Sequence, residues 1–333
     1  MSDLTLAIID PFHPRIAETI AQALPATWNL RVAADRGIEA HKEAFAPAEV
    51  AFVMATPVPA DLLAAAPRLG FIQKLGAGVD RIDLETCAAR GIGVARLNAG
   101  NAVPVAEHTL MLMLAACRRL PVLDRDTRAG RWDKEACRGV NRHMKGKTIG
   151  IVGFGAIGRA LATLLQGFGV EILYYDPVRA PSEVEAALRA RYAELDDLIP
   201  QADILSLHLP LLPETRGLID AGRIAAMKPG AILVNCARGG LVDEAALAAA
   251  LERGHLFGAA LDAFSQEPPA GNPLLGLEQT IVTPHCAGAT IDNFASLVQR
   301  AIANTHSWLA GEALPPSDVV VPPRRRPVAT WRK

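Results

Sequence analysis

Cysteine is scarce in this chain, and the few residues present do not pair. Cys87, Cys117, Cys137, Cys236 and Cys286 are odd in number, scattered over 333 residues, and form no CxxC. That excludes a disulfide framework and the ligand spacing of a zinc motif, so no metal is expected. Charge imbalance is lacking as well: 34 Lys and Arg stand against 35 Asp and Glu, which points to neither nucleic acid nor a membrane surface as partner. The local exception is Arg324, Arg325 and Arg326, flanked by Pro322, Pro323 and Pro327, which reads as a solvated tail. Long apolar runs are missing. The most apolar helix-like stretch, Thr109 to Cys117, follows Glu107 and His108, ends at Arg118 and Arg119, and is too short to span a bilayer. The opening MSDLTLAIID has no basic segment ahead of a long apolar one, so no signal peptide is expected and a reducing cytoplasm is the expected address. No repeat of fixed period is present.

What the chain does have is alternation. Half its residues are apolar, enough for substantial cores, and its length suggests two domains. Short apolar runs at Leu4–Ile9, Leu30–Ala33, Val50–Met54, Phe71–Gln73 and Ile92–Ala95 predict buried strands. Helical patterns at Pro14–Ala23, Ala60–Ala66 and Asp83–Arg90 lie between them, which predicts βα units on a mostly parallel sheet. A long helix is expected from Pro104 to Leu120, and the alternation then restarts at Thr148–Val152, Ala156–Phe168 and Glu171–Tyr175. Further strands are expected at Asp203–Leu207, Ala231–Asn235, Leu256–Leu261 and Thr280–Thr283, and a last helix at Thr290–Leu309 with no evident strand to follow.

One strand-to-helix junction carries chemistry. Gly153-Phe154-Gly155-Ala156-Ile157-Gly158 is GxGxxG directly after a strand. Gly153 permits the tight turn, Gly155 lets a pyrophosphate approach the backbone, and Gly158 allows the helix to pack against the strand. The helix N-terminus offers unpaired N–H groups and a positive dipole end to phosphates. Such a motif alone can simply be a turn. Here Asp176 stands eighteen residues past Gly158, at the end of the next strand, where a carboxylate accepts from ribose hydroxyls and repels a 2′-phosphate. This favours NAD over NADP, although Arg179 nearby would tolerate NADP. Hydride chemistry on a carbonyl also needs a proton donor and a cationic clamp. Arg238, Glu267 and His285 each follow a predicted strand, where ligands bind in open α/β sheets. Taken singly, each reads as an ordinary loop residue; their joint arrangement is what matters.

These stretches resemble the D-isomer-specific 2-hydroxyacid dehydrogenase family over roughly Val50 to Leu309. The resemblance runs, in order, through KLGAGVDRID (74–83), VAEH (105–108), GKTIGIVGFGAIG (146–158), HLPLLPETRGLI (208–219), MKPGAILVNCARGGLVDE (227–244), ALDAFSQEPP (260–269) and TPHCAG (283–288). It implies an NAD(H)-dependent oxidoreductase acting at C2 of a small D-2-hydroxy or 2-keto acid. His285 would be the acid and base, Glu267 would fix its tautomer, and Arg238 would clamp the substrate carboxylate in a fork that Lys cannot copy. Cofactor contacts are implied at Gly153, Gly155, Ala156, Ile157, Gly158, Asp176, Pro210, Thr215, Cys236, Ala237, Arg238, Asp262, His285 and Gly288, with Asp262 orienting the nicotinamide carboxamide. Substrate contacts are implied at Leu75, Gly76, Ala77 and Gly78 as well as Arg238 and His285.

The implied fold is α/β: a Rossmann-type doubly wound cofactor domain (101–287) inserted into a flavodoxin-like substrate domain (1–100), with 288–333 returning to the latter and a cleft between the two. Members are usually homodimers, to which Pro104–Leu120 would contribute unless it is an internal core helix. Phosphoglycerate-oxidising relatives typically carry Arg-Ser where this chain has Val53-Met54, so glyoxylate, hydroxypyruvate or another short unphosphorylated acid is the default, with Lys74 or Arg96 as compensating cations for a phosphorylated one. Formate-oxidising relatives carry glutamine at the place of Glu267, and phosphite-oxidising ones lysine at the place of Ala77. The alternatives are a phosphoglycerate dehydrogenase-type enzyme and an NAD-sensing corepressor-like scaffold with little turnover. His108 is assigned to the linking helix alone, and Cys286 to no role.

Overall fold

The computed structural model describes residues 4–323, so the Arg324–Arg326 tail lies outside the described residues. The strands, in chain order, are β1 (Leu4–Ile8), β2 (Trp28–Val32), β3 (Val50–Val53), β4 (Phe71–Lys74), β5 (Gly93–Ala95), β6 (Thr148–Val152), β7 (Glu171–Tyr175), β8 (Ala190–Tyr192), β9 (Ile204–Leu207), β10 (Ile232–Asn235), β11 (Gly258–Leu261), β12 (Thr280–Val282) and β13 (Val319–Val321). They divide between two units, one of 1–101 with 289–333 and one of 102–288.

The first unit carries a six-stranded sheet in the order β13-β5-β4-β3-β1-β2. Its strands are parallel except β13, which pairs antiparallel with β5. Apart from that edge strand the order is that of a flavodoxin-like doubly wound sheet. The strands are short and rich in β-branched and aromatic residues, and β3 is buried at every position, as a sheet covered on both faces requires. One face packs Leu6, Val50, Phe52 and Phe71 against Leu297, Val298 and Trp308 of the last helix, Ile291–Ala310. The other packs Ala7, Ala51, Val53 and Ile72 against Phe45, Leu62, Leu63 and Cys87. The strand β13 corrects the expectation that nothing follows the last helix. Three residues at a sheet edge, at a register shift, leave too little periodicity to read.

The second unit carries a seven-stranded, all-parallel sheet in the order β12-β11-β10-β9-β6-β7-β8. Chain order runs outward from β6 in one direction and from β9 in the other, so the switch point of a Rossmann-type sheet falls between them. Two cores flank it. One gathers Leu205, Leu207, Leu233, Leu247 and Leu261, the other Ile149, Ile151, Tyr174 and Val234 with Leu112 and Met113 of the helix Ala102–Arg118. The expected single helix to Leu120 ends instead at Arg118; Arg119, with φ 50°, breaks the hydrogen-bond ladder, and a second helix, Leu120–Arg128, follows it. The helices Ile38–Phe45 and Lys134–Val140 and the edge strand β8 were not anticipated; each is short, and their apolar positions are too few to set a period.

Candidate functional site

In the second unit the functional side chains sit where the sheet ends. Gly153 terminates β6 with φ +100°, and a Cβ there would lie 2.6 Å from the carbonyl carbon of His208, the residue after β9. A Cβ on Gly158 would lie 2.2 Å from the Gly153 carbonyl oxygen, so the helix Ala156–Leu165 seats against the turn only with glycine there. Gly155, the helix N-cap, makes no side-chain cap, and a Cβ on it would meet nothing within 4 Å. The first-turn N–H groups have no intrahelical acceptor, which is what a dinucleotide pyrophosphate needs. Asp176, just past β7, is tied to this turn: its Oδ2 accepts from Phe154 N at 2.7 Å and its Oδ1 from Val178 N at 3.0 Å. Arg179 is held in a forked pair with Glu185, at 2.9 and 3.0 Å, and lies over the Tyr192 ring. That guanidinium, with the Tyr174 hydroxyl, holds the Glu185 carboxyl down at about 2.

His208 completes the corner. Its Nε2 lies 2.8 Å from Ser206 Oγ, while Nδ1 is buried with no partner among the described residues. Burial pushes the imidazole from 6.5 down to about 4. Between those values the unfolded chain binds a proton that the folded chain refuses, so stability falls as pH drops through that window. The full effect is up to about 3 kcal/mol. His208→Gln is therefore expected to flatten the decline of Tm between pH 7 and 4.5; an unchanged slope would place the acid sensitivity elsewhere.

Pro210 and Thr215 lie in the loop after β9, which Thr215 Oγ1 closes by donating to Pro210 O at 2.7 Å and accepting from Leu212 N at 2.8 Å. Cys236, Ala237 and Arg238 follow β10. Asn235, unremarked in the sequence, shapes their turn: its Oδ1 accepts from Ala237 N at 3.0 Å and its Nδ2 donates to Arg238 O at 2.8 Å. Gly239 then packs directly on the next loop, since a Cβ there would lie 1.8 Å from Phe264 C. The loop of Arg238 and the loop of Glu267 are thus in backbone contact. Glu244 fixes the second loop from beneath, accepting from Ser265 N and Oγ and from Asn272. Burial pushes the Cys236 thiol up to about 12, so it is no nucleophile at neutral pH.

His285 and Glu267 meet. His285 Nδ1 lies 2.8 Å from Glu267 Oε1, which also accepts from Phe264 N at 3.2 Å. With Nδ1 engaged, Nε2 is the nitrogen left for chemistry, and the imidazole is exposed enough to reach a ligand. The backbone at His285 has φ 53°, a left-handed conformation that costs a non-glycine residue about 1–2 kcal/mol. Asp262 holds it. Asp262 is fully buried after β11; its Oδ1 accepts from Thr283 Oγ1 at 2.6 Å and Cys286 N at 2.9 Å, and its Oδ2 from Ala287 N at 2.9 Å. One carboxylate thereby pins residues on both sides of His285. Behind it, His108 Nε2 lies 3.2 Å from Thr283 Oγ1, so His108 does more than belong to its helix. Both residues lie inside quoted motifs, VAEH and TPHCAG, yet neither was given a role at the site from the sequence. Gly288 ends this unit.

Leu75, Gly76, Ala77 and Gly78 lie in the first unit, after β4. Leu75 is buried and donates to Val53 O at 2.8 Å, and Gly76 O accepts from Leu97 N at 3.0 Å. The neighbouring loop is clamped by Asp10, whose carboxylate accepts from Met54 N, Ala55 N and Thr56 N at 2.6–2.8 Å. Lys74 Nζ donates to Met54 O, and Arg96 donates to Ser317 O.

A family model described as "D-isomer specific 2-hydroxyacid dehydrogenase, NAD binding domain" matches residues 110–287. The D-3-phosphoglycerate dehydrogenase of Mycobacterium tuberculosis is 42% identical over 261 residues, which are 78% of this chain and 49% of that protein. The chain spans about half the length of the curated relatives it matches. Among solved structures, the TT0316 protein from Thermus thermophilus aligns with a TM-score of 0.84 and 31% identity, over 96% of this chain and 100% of that one. The NAD-dependent formate dehydrogenase from Staphylococcus aureus, in complex with NAD, aligns with a TM-score of 0.85 and 26% identity, over 96% and 100%. The family match runs over more than half of the chain, through the glycine turn and the Arg238, Glu267 and His285 loops, and by it this chain belongs to the D-isomer specific 2-hydroxyacid dehydrogenase family, whose NAD binding domain is its second unit.

Proposed function

We propose that the chain is an NAD(H)-dependent oxidoreductase acting at C2 of a small D-2-hydroxy or 2-keto acid. The observation that carries this reading is the 2.8 Å bond between His285 and Glu267, beside a loop that presents Arg238. Bound nicotinamide supplies or accepts the hydride. In reduction, His285 gives its Nε2 proton to the carbonyl oxygen; in oxidation it takes the proton back from the hydroxyl. Glu267 keeps the other ring proton on Nδ1 and supports the imidazolium. Arg238 clamps the substrate carboxylate in bidentate fashion. Asp262 acts from behind as a positioning residue, through Thr283, Cys286 and Ala287. The N–H groups of Ala156, Ile157 and Gly158 and the carboxylate of Asp176 take the cofactor's pyrophosphate and ribose. Backbone N–H groups of the loop Leu75–Gly78 receive the substrate carboxylate.

As the substrate we favour a short unphosphorylated acid such as glyoxylate or hydroxypyruvate. The N–H groups of Met54, Ala55 and Thr56 are spent on Asp10, and a buried carboxylate there disfavours a phosphate. The names of the curated relatives favour the second reading, phosphoglycerate chemistry. Steady-state oxidation of NADH with glyoxylate, hydroxypyruvate and 3-phosphohydroxypyruvate decides between them: kcat/KM highest for the phosphorylated acid would overturn the first reading, and no turnover of any would favour an NAD-sensing scaffold.

Cofactor preference follows from Asp176 and the engagement of Arg179 by Glu185. Asp176→Ala is expected to raise the NADPH-to-NADH ratio of kcat/KM by at least about tenfold, the scale of one charge-assisted contact. Adding Glu185→Gln, which releases Arg179, should raise it further; an unmoved ratio in the double variant removes the ribose assignment. A homodimer is also proposed. Val103, Met111 and Leu114 stand exposed on the helix Ala102–Arg118. Met111→Asp should shift the sedimenting species to a monomer, and a wild-type chain that is already monomeric would dismiss the dimer.

A further inference from the structure

We propose that His108, Asp262 and Cys286 form a binding site for a thiophilic divalent cation of the Zn2+ class. One ligand atom from each, an imidazole nitrogen, a carboxylate oxygen and a thiol sulfur, lies within 4.8 Å of the other two. Tetrahedral zinc, with bonds of about 2.0–2.3 Å, sets its ligands roughly 3.3–3.8 Å apart, so closing this set takes side-chain shifts of about 1 Å. One edge is already within that range: His108 Nε2 and Asp262 Oδ1 are 3.7 Å apart. Linear spacing hid the set, because residues 108, 262 and 286 match no ligand motif; the helix Ala102–Arg118 and the ends of β11 and β12 bring them together.

The surroundings favour a cation. Asp262 is fully buried, yet among the described residues no Lys or Arg pairs with it, and His108 is the only basic side chain beside it. Beyond His108 and the Cys286 thiol, its charge is met by the Thr283 O–H and the Cys286 and Ala287 N–H groups. Sulfur with imidazole selects Zn2+ and its congeners over Mg2+ or Ca2+, which prefer all-oxygen shells. On binding, the Cys286 proton leaves to solvent and the thiolate, imidazole and carboxylate take three positions, with the fourth left to water. The metal also competes with Thr283 Oγ1 for Asp262 Oδ1. Occupancy therefore loosens the hold on the segment that carries His285, a link between metal and site that holds whatever reaction the chain performs.

The test uses the untagged full chain and Co2+ as the probe, followed by Zn2+. Equilibrium dialysis is expected to give about one Co2+ per chain, with a thiolate-to-cobalt band in the near ultraviolet and visible bands of tetrahedral intensity that Zn2+ abolishes. Cys286→Ser should remove the near-ultraviolet band, and His108→Gln should weaken binding by at least about tenfold, with circular dichroism melting to establish that both are folded. In the wild-type chain, Zn2+ should protect Cys286 from iodoacetamide in a peptide map, a readout that needs no variant. Absence of the band, well under one metal per chain, or protection of Cys137 in place of Cys286 would overturn the site.

Discussion

Replacing His285 with Ala is expected to lower kcat for 2-keto acid reduction by about 10²–10⁴-fold, the usual worth of a positioned acid–base group, while leaving the Kd for NADH within a few-fold. The separation of the two effects follows from geometry. The glycine turn, Asp176 and the helix N-terminus form without His285, whereas His285 is the imidazole that bonds Glu267. Glu267→Gln provides the companion measurement. It keeps the shape but puts a neutral amide in place of the carboxylate beside Nδ1, so kcat for reduction should fall by about tenfold or more while the Kd for NADH holds. Unchanged turnover in His285→Ala would refute the acid–base role. Unchanged kcat in Glu267→Gln would remove Glu267 from the proton-transfer machinery.

Gly239→Ala carries the largest expected cost in stability. Its Cβ would stand 1.8 Å from Phe264 C and 2.0 Å from Ser265 N, and both neighbours are backbone, so neither loop can yield by rotating a side chain. The loss should reach about 3 kcal/mol or more, the upper end for overpacking, and lower Tm by roughly 6–12 °C for a unit of this size. Turnover of the folded fraction should fall as well, because the Arg238 and Glu267 loops are forced apart. Gly155→Ala is the control. Its Cβ meets nothing within 4 Å and its φ of −74° is open to alanine, so Tm should hold while NADH binding weakens by tenfold or more, as about 1.4 kcal/mol of lost pyrophosphate contact implies. Equal losses of stability in both variants would remove the distinction between a packing glycine and a ligand-approach glycine.

The sequence disclosed most of the sheet because strands buried on both faces read as unbroken apolar runs. β1, β3, β6 and β10 are of that kind. The glycine turn was legible because strand, turn and helix are contiguous. What stayed hidden is non-local or short. β8 and β13 hold three residues each at sheet edges, and the break at Arg119 depends on one backbone angle rather than on composition. Within the site, the order of Arg238, Glu267 and His285 could be read from motifs, but the groups that hold them could not. Asn235 turns the Arg238 loop, Glu244 anchors the Glu267 loop across 21 residues, and Asp262 reaches Thr283, Cys286 and Ala287 across 21 to 25. Asp262 was read as a cofactor contact from its motif; its oxygens are engaged by three donors of the chain itself, which no linear pattern announces.

Two features of the first unit bear on selectivity in the same way. Asp10 and Lys74 clamp the loop after β3 through its N–H and carbonyl groups respectively, so its backbone is set before any ligand arrives. The family resemblance set Val53-Met54 against the Arg-Ser pair of phosphoglycerate-oxidising relatives; the backbone clamp on that loop, which spans more than forty positions from Asp10 to Met54, left no mark in the linear pattern.

Isotope transfer tests the central claim most directly. The chain, incubated with NADH deuterated at C4 of the nicotinamide and with glyoxylate or hydroxypyruvate, should place the label on C2 of the product. With hydroxypyruvate, the product should be the D-hydroxy acid. NADH binding without transfer of the label, or transfer to the L-isomer, would contradict the account.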